Sequence, residues 1–295
     1  MPRLSKMKVR RLPTQSLHLL GYCAALLLIA PACKKQSAVS AERAALSIGA
    51  LTKAAQEDVA EVRTGLPQGV KWLLPIFTTG KPAADDPHAA RSALETARNK
   101  VQDLRIAKGT FFAVTDAMGV VIRDDDEQDT LAGKPLLPAF PGLAAVKTGQ
   151  YVESRGSMVE IAGVRGRADG QWIAAQPVLS GSDVKGWYVT GWSWSAYAYR
   201  LERALSTNLR SALTEGEKMP LAYVYIIVDK AVYGTPISPE VNAQAIGALS
   251  PLKNASASTP VKFELEIAGR EFGLAVELAP DLGKDVAIAV LRSET

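Results

Sequence analysis

The chain has 295 residues, 47% of them hydrophobic and 22% charged, with 34 Lys and Arg set against 30 Asp and Glu. That composition excludes a disordered or collagen-like chain, and two cysteines are too few for a disulfide-built scaffold. Five of the basic residues and none of the acidic ones precede Cys33, so the remainder is balanced at 29 against 30, and neither a nucleic-acid surface nor a polybasic membrane patch is expected.

The basic residues Arg3, Lys6, Lys8, Arg10 and Arg11 precede an apolar run, Leu17 to Ala32, that is too short for a comfortable membrane span. Residues 1–32 therefore read as an export signal. Its end, Leu28-Ile29-Ala30-Pro31-Ala32-Cys33, resembles the lipobox of bacterial lipoproteins, with Ala30 where Leu is usual. The resemblance implies an acylated Cys33 that anchors the chain to a lipid bilayer. Lys34, rather than Asp, after that cysteine implies the outer membrane, facing the periplasm. Cys23 lies inside the signal, so no disulfide is expected. About 260 residues remain, enough for two cores.

Residues 33–39 form a polar tether. From Ser40 the apolar residues Ile48, Leu51, Ala55, Val59, Val62 and Leu66 recur at helical spacing, and Gly65, Pro67 and Gly69 are expected to end the helix. Its stripe could pack on a sheet or on a second copy of the chain. Val70–Phe77 is a short apolar segment. A second helix starts with Asp86 as N-cap and Pro87 in the first turn, carries Ala90, Leu94, Ala97, Val101 and Leu104 on one stripe, and closes at Lys108-Gly109.

Phe111–Thr115, the turn Asp116-Ala117-Met118-Gly119 and Val120–Arg123 then read as a hairpin. A Pro- and Gly-rich stretch leads to a helical turn near Leu143–Lys147. Strands are expected at Gln150–Arg155, Met158–Val164, Gln171–Leu179 and Lys185–Ser193, followed by a helix over Trp194–Glu215. Beyond Pro220 the pattern recurs in miniature. Leu221–Val228, the turn at Asp229 and Val232–Gly234 echo the first hairpin; a helix over Pro239–Leu249 with Ser238 as N-cap and strands at Val261–Ile267, Glu271–Leu278 and Val286–Leu291 follow.

The run Val114-Thr115-Asp116-Ala117-Met118-Gly119-Val120-Val121, then Gly133-Lys134-Pro135-Leu136, then Trp172 to Val178 leading to Gly186-Trp187-Tyr188-Val189, resembles the extracytoplasmic Cache branch of PAS-like sensor domains. The resemblance implies an α+β fold with a long N-terminal helix and two Cache- or PAS-like antiparallel-sheet domains joined by a helix. The expected divisions are a distal domain over 40–200, a linker helix over 201–219 and a smaller domain over 220–295 that docks on the linker. It also implies a small-molecule-binding, non-enzymatic module that acts through a partner protein; the competing reading is an interaction lipoprotein whose cores are simply packed.

Catalytic equipment is sparse. The only histidine after the signal is His88, and neither a Gly-x-Ser-x-Gly elbow nor a phosphate loop is present. The acidic run Asp124–Asp129 lacks the Gly and Glu of an EF-hand loop, holding Asp129 and Pro135 in those places, so it reads as a solvated loop; no metal or cofactor is expected. Aromatics concentrate between Trp172 and Tyr199. Asp116, Arg155, Arg165, Trp172, Gln176 and Trp187 are the candidate ligand-binding residues, because amphipathic rings around a few polar groups suit a small-molecule pocket.

Overall fold

The computed structural model describes residues 35–294 except 165 and 167; the signal, Cys33 and Arg165 therefore lie outside the described residues. The first helix, α1, runs over Gln36–Leu73, 38 residues or roughly 57 Å at about 1.5 Å per residue. It does not end at Gly65-Leu66-Pro67. Pro67 removes one backbone donor, but the two glycines serve as packing notches rather than terminators. A Cβ at Gly65 would stand 2.6 Å from Leu104, and one at Gly69 would stand 2.6 Å from the ring of Tyr188.

The next helix, α2 (Pro87–Lys100), is capped as expected, with the Asp86 carboxylate accepting from the Ala89 N–H at 3.0 Å. It stops short of the expected end because Val101 turns extended and the chain restarts as α3 (Gln102–Ile106). That break places Leu104 beneath the notches of α1.

Five strands follow: β1 (Phe111–Asp116), β2 (Val121–Asp124), β3 (Val152–Gly156), β4 (Gln171–Ser180) and β5 (Asp183–Ser193). They form one antiparallel sheet in the order β2-β1-β5-β4-β3. The strand expected over Met158–Val164 is instead a single tight turn at Val159–Ile161. The Gln171 side chain explains it: its amide accepts from the Met158 N–H at 2.6 Å and donates to the Met158 carbonyl at 3.2 Å, occupying both backbone groups that a ladder would need.

Helix α4 (Trp194–Ala212), N-capped by Ser193, leads to a second sheet of β6 (Leu221–Val228), β7 (Ala231–Gly234), β8 (Val261–Ile267), β9 (Arg270–Leu278) and β10 (Val286–Ser293). Its order, β7-β6-β10-β9-β8, repeats the first sheet strand for strand. The echo of one hairpin is thus a full topological repeat. Helix α5 (Glu240–Ala248) lies between β7 and β8; Ser238 is not its N-cap, since its hydroxyl pairs with Thr235 at 2.8 Å.

One continuous core joins both sheets to α1. It holds Ile48, Leu51, Ala55, Val59, Val62 and Leu66 of the helix, Phe112, Val114, Trp172 and Tyr188 of the first sheet, and Val224, Ile226, Ile288 and Val290 of the second. The second sheet therefore rests on α1 as well as on the linker helix α4. The far face of each sheet has its own cluster, closed over the first by Leu131, Leu136, Phe140, Leu143 and Val146. At Gly273 the second sheet meets the helix backbone to backbone, since a Cβ there would stand 1.9 Å from the Ala41 nitrogen. Gly273→Val is expected to lower the unfolding free energy by roughly 3 kcal/mol in urea denaturation; an unchanged midpoint would show that α1 does not sit on β9.

Candidate functional site

The hairpin turn between β1 and β2 is built by Asp116. Its carboxylate accepts from the Met118 N–H at 2.8 Å and the Val120 N–H at 2.9 Å, and Gly119 takes a φ of 85°. Trp187, fully buried on the outer face of the sheet, lies against Gly119, where a Cβ would come within 2.4 Å of the indole. Both residues are engaged in holding the turn.

Trp172 and Gln176 point to the opposite, helix-facing side. Trp172 stacks on Trp192 with centroids 4.3 Å apart, and Trp192 stacks on Tyr197 at 4.7 Å, which ties the sheet to α4. Gln176 is half-buried opposite Tyr188. Arg155 stands across from Trp172 in register, and its guanidinium pairs with Asp285 of the second sheet's β9–β10 connection at 2.8 Å. The described candidate residues thus divide between two faces rather than converging.

Arg155 and Trp172 do share a cleft of about 300 Å³ at the seam between the sheets, together with Arg63, Glu153 and Asp281. Arg63, on α1, donates to Glu153 at 2.6 and 3.1 Å and to Asp281 at 2.9 Å, joining one sheet to the other. The sequence shows Arg63 only as a polar residue off the helix stripe. Its distance in the chain from both partners conceals the role.

A deeper joint lies between α1 and α4. Asp58, only 3% exposed, accepts from the Tyr197 hydroxyl at 2.9 Å and from Arg200 at 2.7 Å, with a second Arg200 contact on its other oxygen. Burial pushes the Tyr197 hydroxyl well above its usual range, and the Asp58 charge adds to the effect.

The acidic run is a solvated loop only in part: Asp126, Glu127 and Gln128 are exposed, while the carboxylates on either side are engaged. Asp124 is fully buried and accepts from the N–H groups of Asp126 at 2.9 Å and Leu131 at 2.7 Å. Asp125 accepts from Phe112 N–H at 2.7 Å and from Arg98 at 2.8 Å; Asp129 accepts from Asp124 N–H and Arg123. These carboxylates fold the turn by satisfying backbone donors that the strand end leaves free. Burial raises the carboxyls of Asp124 and Asp125, and the backbone donors pull them back.

Beside this turn opens a cleft of about 340 Å³, lined by Asp124, Asp125, Asp126 and Glu160 and by Phe111 and Ile161; Arg98 pairs with Asp125 at 2.8 Å and Lys134 with Glu160 at 3.2 Å, so two of these carboxylates already have a counter-charge. Asp126, exposed and without an ion pair among the described residues, leaves a carboxylate beside apolar surface that suits a small cation presenting N–H donors. Glu160 reaches the cleft from the tight turn that replaced the expected strand. Among the described residues no group of three or more His, Cys, Asp or Glu is arranged to hold a metal ion.

No family model matches the chain, and no curated protein matches it either. Solved structures do. The ligand-binding domain of the Pseudomonas aeruginosa amino acid chemoreceptor PctB, determined in complex with L-arginine, is similar with a TM-score of 0.51 and 14% identity, over 86% of this chain and 95% of that one. The extracellular domain of a protein described as the histidine kinase vpHK1S-Z8 has a TM-score of 0.51 and 9% identity, over 88% and 92%. An extracellular ligand binding receptor from Desulfohalobium retbaense, at 17% identity and a TM-score of 0.47, aligns over 82% of this chain, which spans 39% of that receptor. At these identities the likeness is one of fold: the chain has the Cache-like, PAS-like architecture of extracellular sensor domains.

Asp116→Ala should lower stability by about 1–2 kcal/mol, the cost of two lost turn hydrogen bonds, and leave any ligand-induced shift in Tm unchanged. A lost ligand response at unaltered stability would return Asp116 to a binding role.

Proposed function

We propose that this chain is a lipid-anchored module of the bacterial cell envelope, a binding protein rather than an enzyme, that takes a small cationic molecule in the acidic cleft beside β1 and β2 and acts through a partner protein. The observation that carries the reading is the cleft itself: four acidic residues line one cavity, and Asp126 among them is exposed and has no ion pair among the described residues. PctB's ligand-binding domain, with a similar fold, holds L-arginine, itself a cation.

The anchor rests on the lipobox-like ending at Cys33, three residues before α1 begins. Acylation there would hold the second sheet next to the membrane and the cleft at the far end. No helix among the described residues is long and apolar enough to cross a membrane. Cys33→Ser should leave the export signal uncleaved by the lipoprotein peptidase and abolish labelling by a palmitate analogue; labelling that survives would refute the anchor.

A second reading, an interaction module with packed cores, draws on the outer face of the first sheet, where Leu136, Phe140, Leu143 and Val146 are all buried in one cluster. Thermal unfolding separates the two. A ligand that binds only the native state stabilises it by RT ln(1+[L]/Kd), about 2.7 kcal/mol at a hundred times Kd. Putrescine or L-arginine should raise Tm, succinate should not, and Asp126→Asn should weaken the response. Absence of any shift would favour the packed module.

A further inference from the structure

The connection between β9 and β10 is a loop over residues 280–285, closed at its base by the Ala279 N–H donating to the Val286 carbonyl at 2.9 Å. It belongs to the second sheet by sequence, yet it lies against the first. Leu282, only 2% exposed, anchors it in the core shared with α1, and Pro280, Asp281 and Gly283 form a wall of the cleft that holds Trp172. Pro280 and Asp281 also bound a further cleft of about 310 Å³, on the side of Thr52 and Gln56 of α1. The loop therefore has unfilled space on both sides.

Ion pairs hold it down. Arg63 of α1 bonds both to Asp281 of the loop and to Glu153 of β3, and the Tyr151 hydroxyl donates to the same Glu153 at 3.0 Å. Arg155 of β3 pairs with Asp285 at the other end of the loop. The five side chains of these pairs are between 23% and 42% exposed, and Lys284, the remaining charge of the loop, faces solvent. Pairs so exposed are individually weak and are screened by salt.

What the loop covers is the aromatic stack of the first sheet. Trp172 is buried although it stands on the cleft wall, and its indole lies on that of Trp192. Withdrawal of the loop would open Trp172 to water from the seam.

We infer that residues 280–285 are a lid over Trp172, latched by the ion pairs of Arg63 and Arg155, that swings on its Ala279–Val286 base when those pairs are screened or broken. Opening also frees β3 from the second sheet, because Glu153 and Arg155 are the β3 side of the latch. The device does not depend on what the acidic cleft binds.

The test is amide hydrogen exchange of the full chain at Leu282, Gly283 and Val286, whose N–H groups are bonded to the carbonyls of Ala279, Pro280 and Gly283. KCl is raised from about 0.01 M to about 1 M, which shortens the Debye length from about 30 Å to about 3 Å. Exchange at these three amides should quicken about tenfold, the effect of a few exposed pairs, while the amides of residues 288–290 in β10 keep their rates. The double variant Arg63→Met and Arg155→Met should exchange fast at low salt and lose the salt response. Acrylamide, a neutral quencher, should reach more of the tryptophan fluorescence at high salt, a gain absent from Trp172→Phe. Exchange indifferent to salt in the wild type, a salt response that persists in the double variant, or faster exchange with no gain in quenching would overturn the lid. Should a variant fail to fold, wild-type exchange and quenching decide.

Discussion

Burial of α1 is the constraint on which the remainder of the structure depends. The stripe from Ile48 to Leu66 is removed from water by two sheets at once, and each fully buried aliphatic side chain contributes about 1.5–3 kcal/mol. A second sheet of only some seventy-five residues, near the lower limit for an independent core, gains much of its buried surface from that shared helix. The close approach demands small residues at the contact. Gly273 against Ala41, and Gly65 and Gly69 against Leu104 and Tyr188, supply them.

Polar contacts refine what the apolar stripe begins. Asp58 is buried with Tyr197 and Arg200, so its desolvation is offset by well-placed donors, and the arrangement sets the position of α4 along α1. Arg63 and Arg155 act nearer to solvent, where single ion pairs are worth little and a network is worth more. Their importance is geometric. They place the β9–β10 connection against the first sheet, and so define the seam on which two of the clefts open.

The same element order serves both halves, yet the halves carry different chemistry. In the first, the turn after β2 gathers carboxylates because their backbone donors lie where the strand ends. In the second, the corresponding connection after β7, Thr235 to Pro239, carries no carboxylate and is closed by the Thr235 and Ser238 hydroxyls at 2.8 Å. The two halves therefore differ in the side chains of their connections rather than in the sheets, which are packed on both faces.

Local rules were sufficient for much of the architecture. Alternation marked nearly every strand, the Asp86-Pro87 start and the Asp116-x-x-Gly119 turn formed as their chemistry requires, and the order of motifs pointed to the sensor-type fold. By itself, then, the amino-acid sequence determined the elements, the turns and the fold class, because these depend on residues close together in the chain. Tertiary structure alone decided the rest. Gly65, Pro67 and Gly69 stay helical because packing against Leu104 and Tyr188 outweighs local helix-breaking tendency; Met158–Val164 is no strand because a side chain 13 residues away takes its backbone groups. The clefts at Asp124–Asp126 and at Arg63–Arg155 unite residues distant in sequence, and whether a carboxylate is solvated or paired depends on what long-range packing brings beside it.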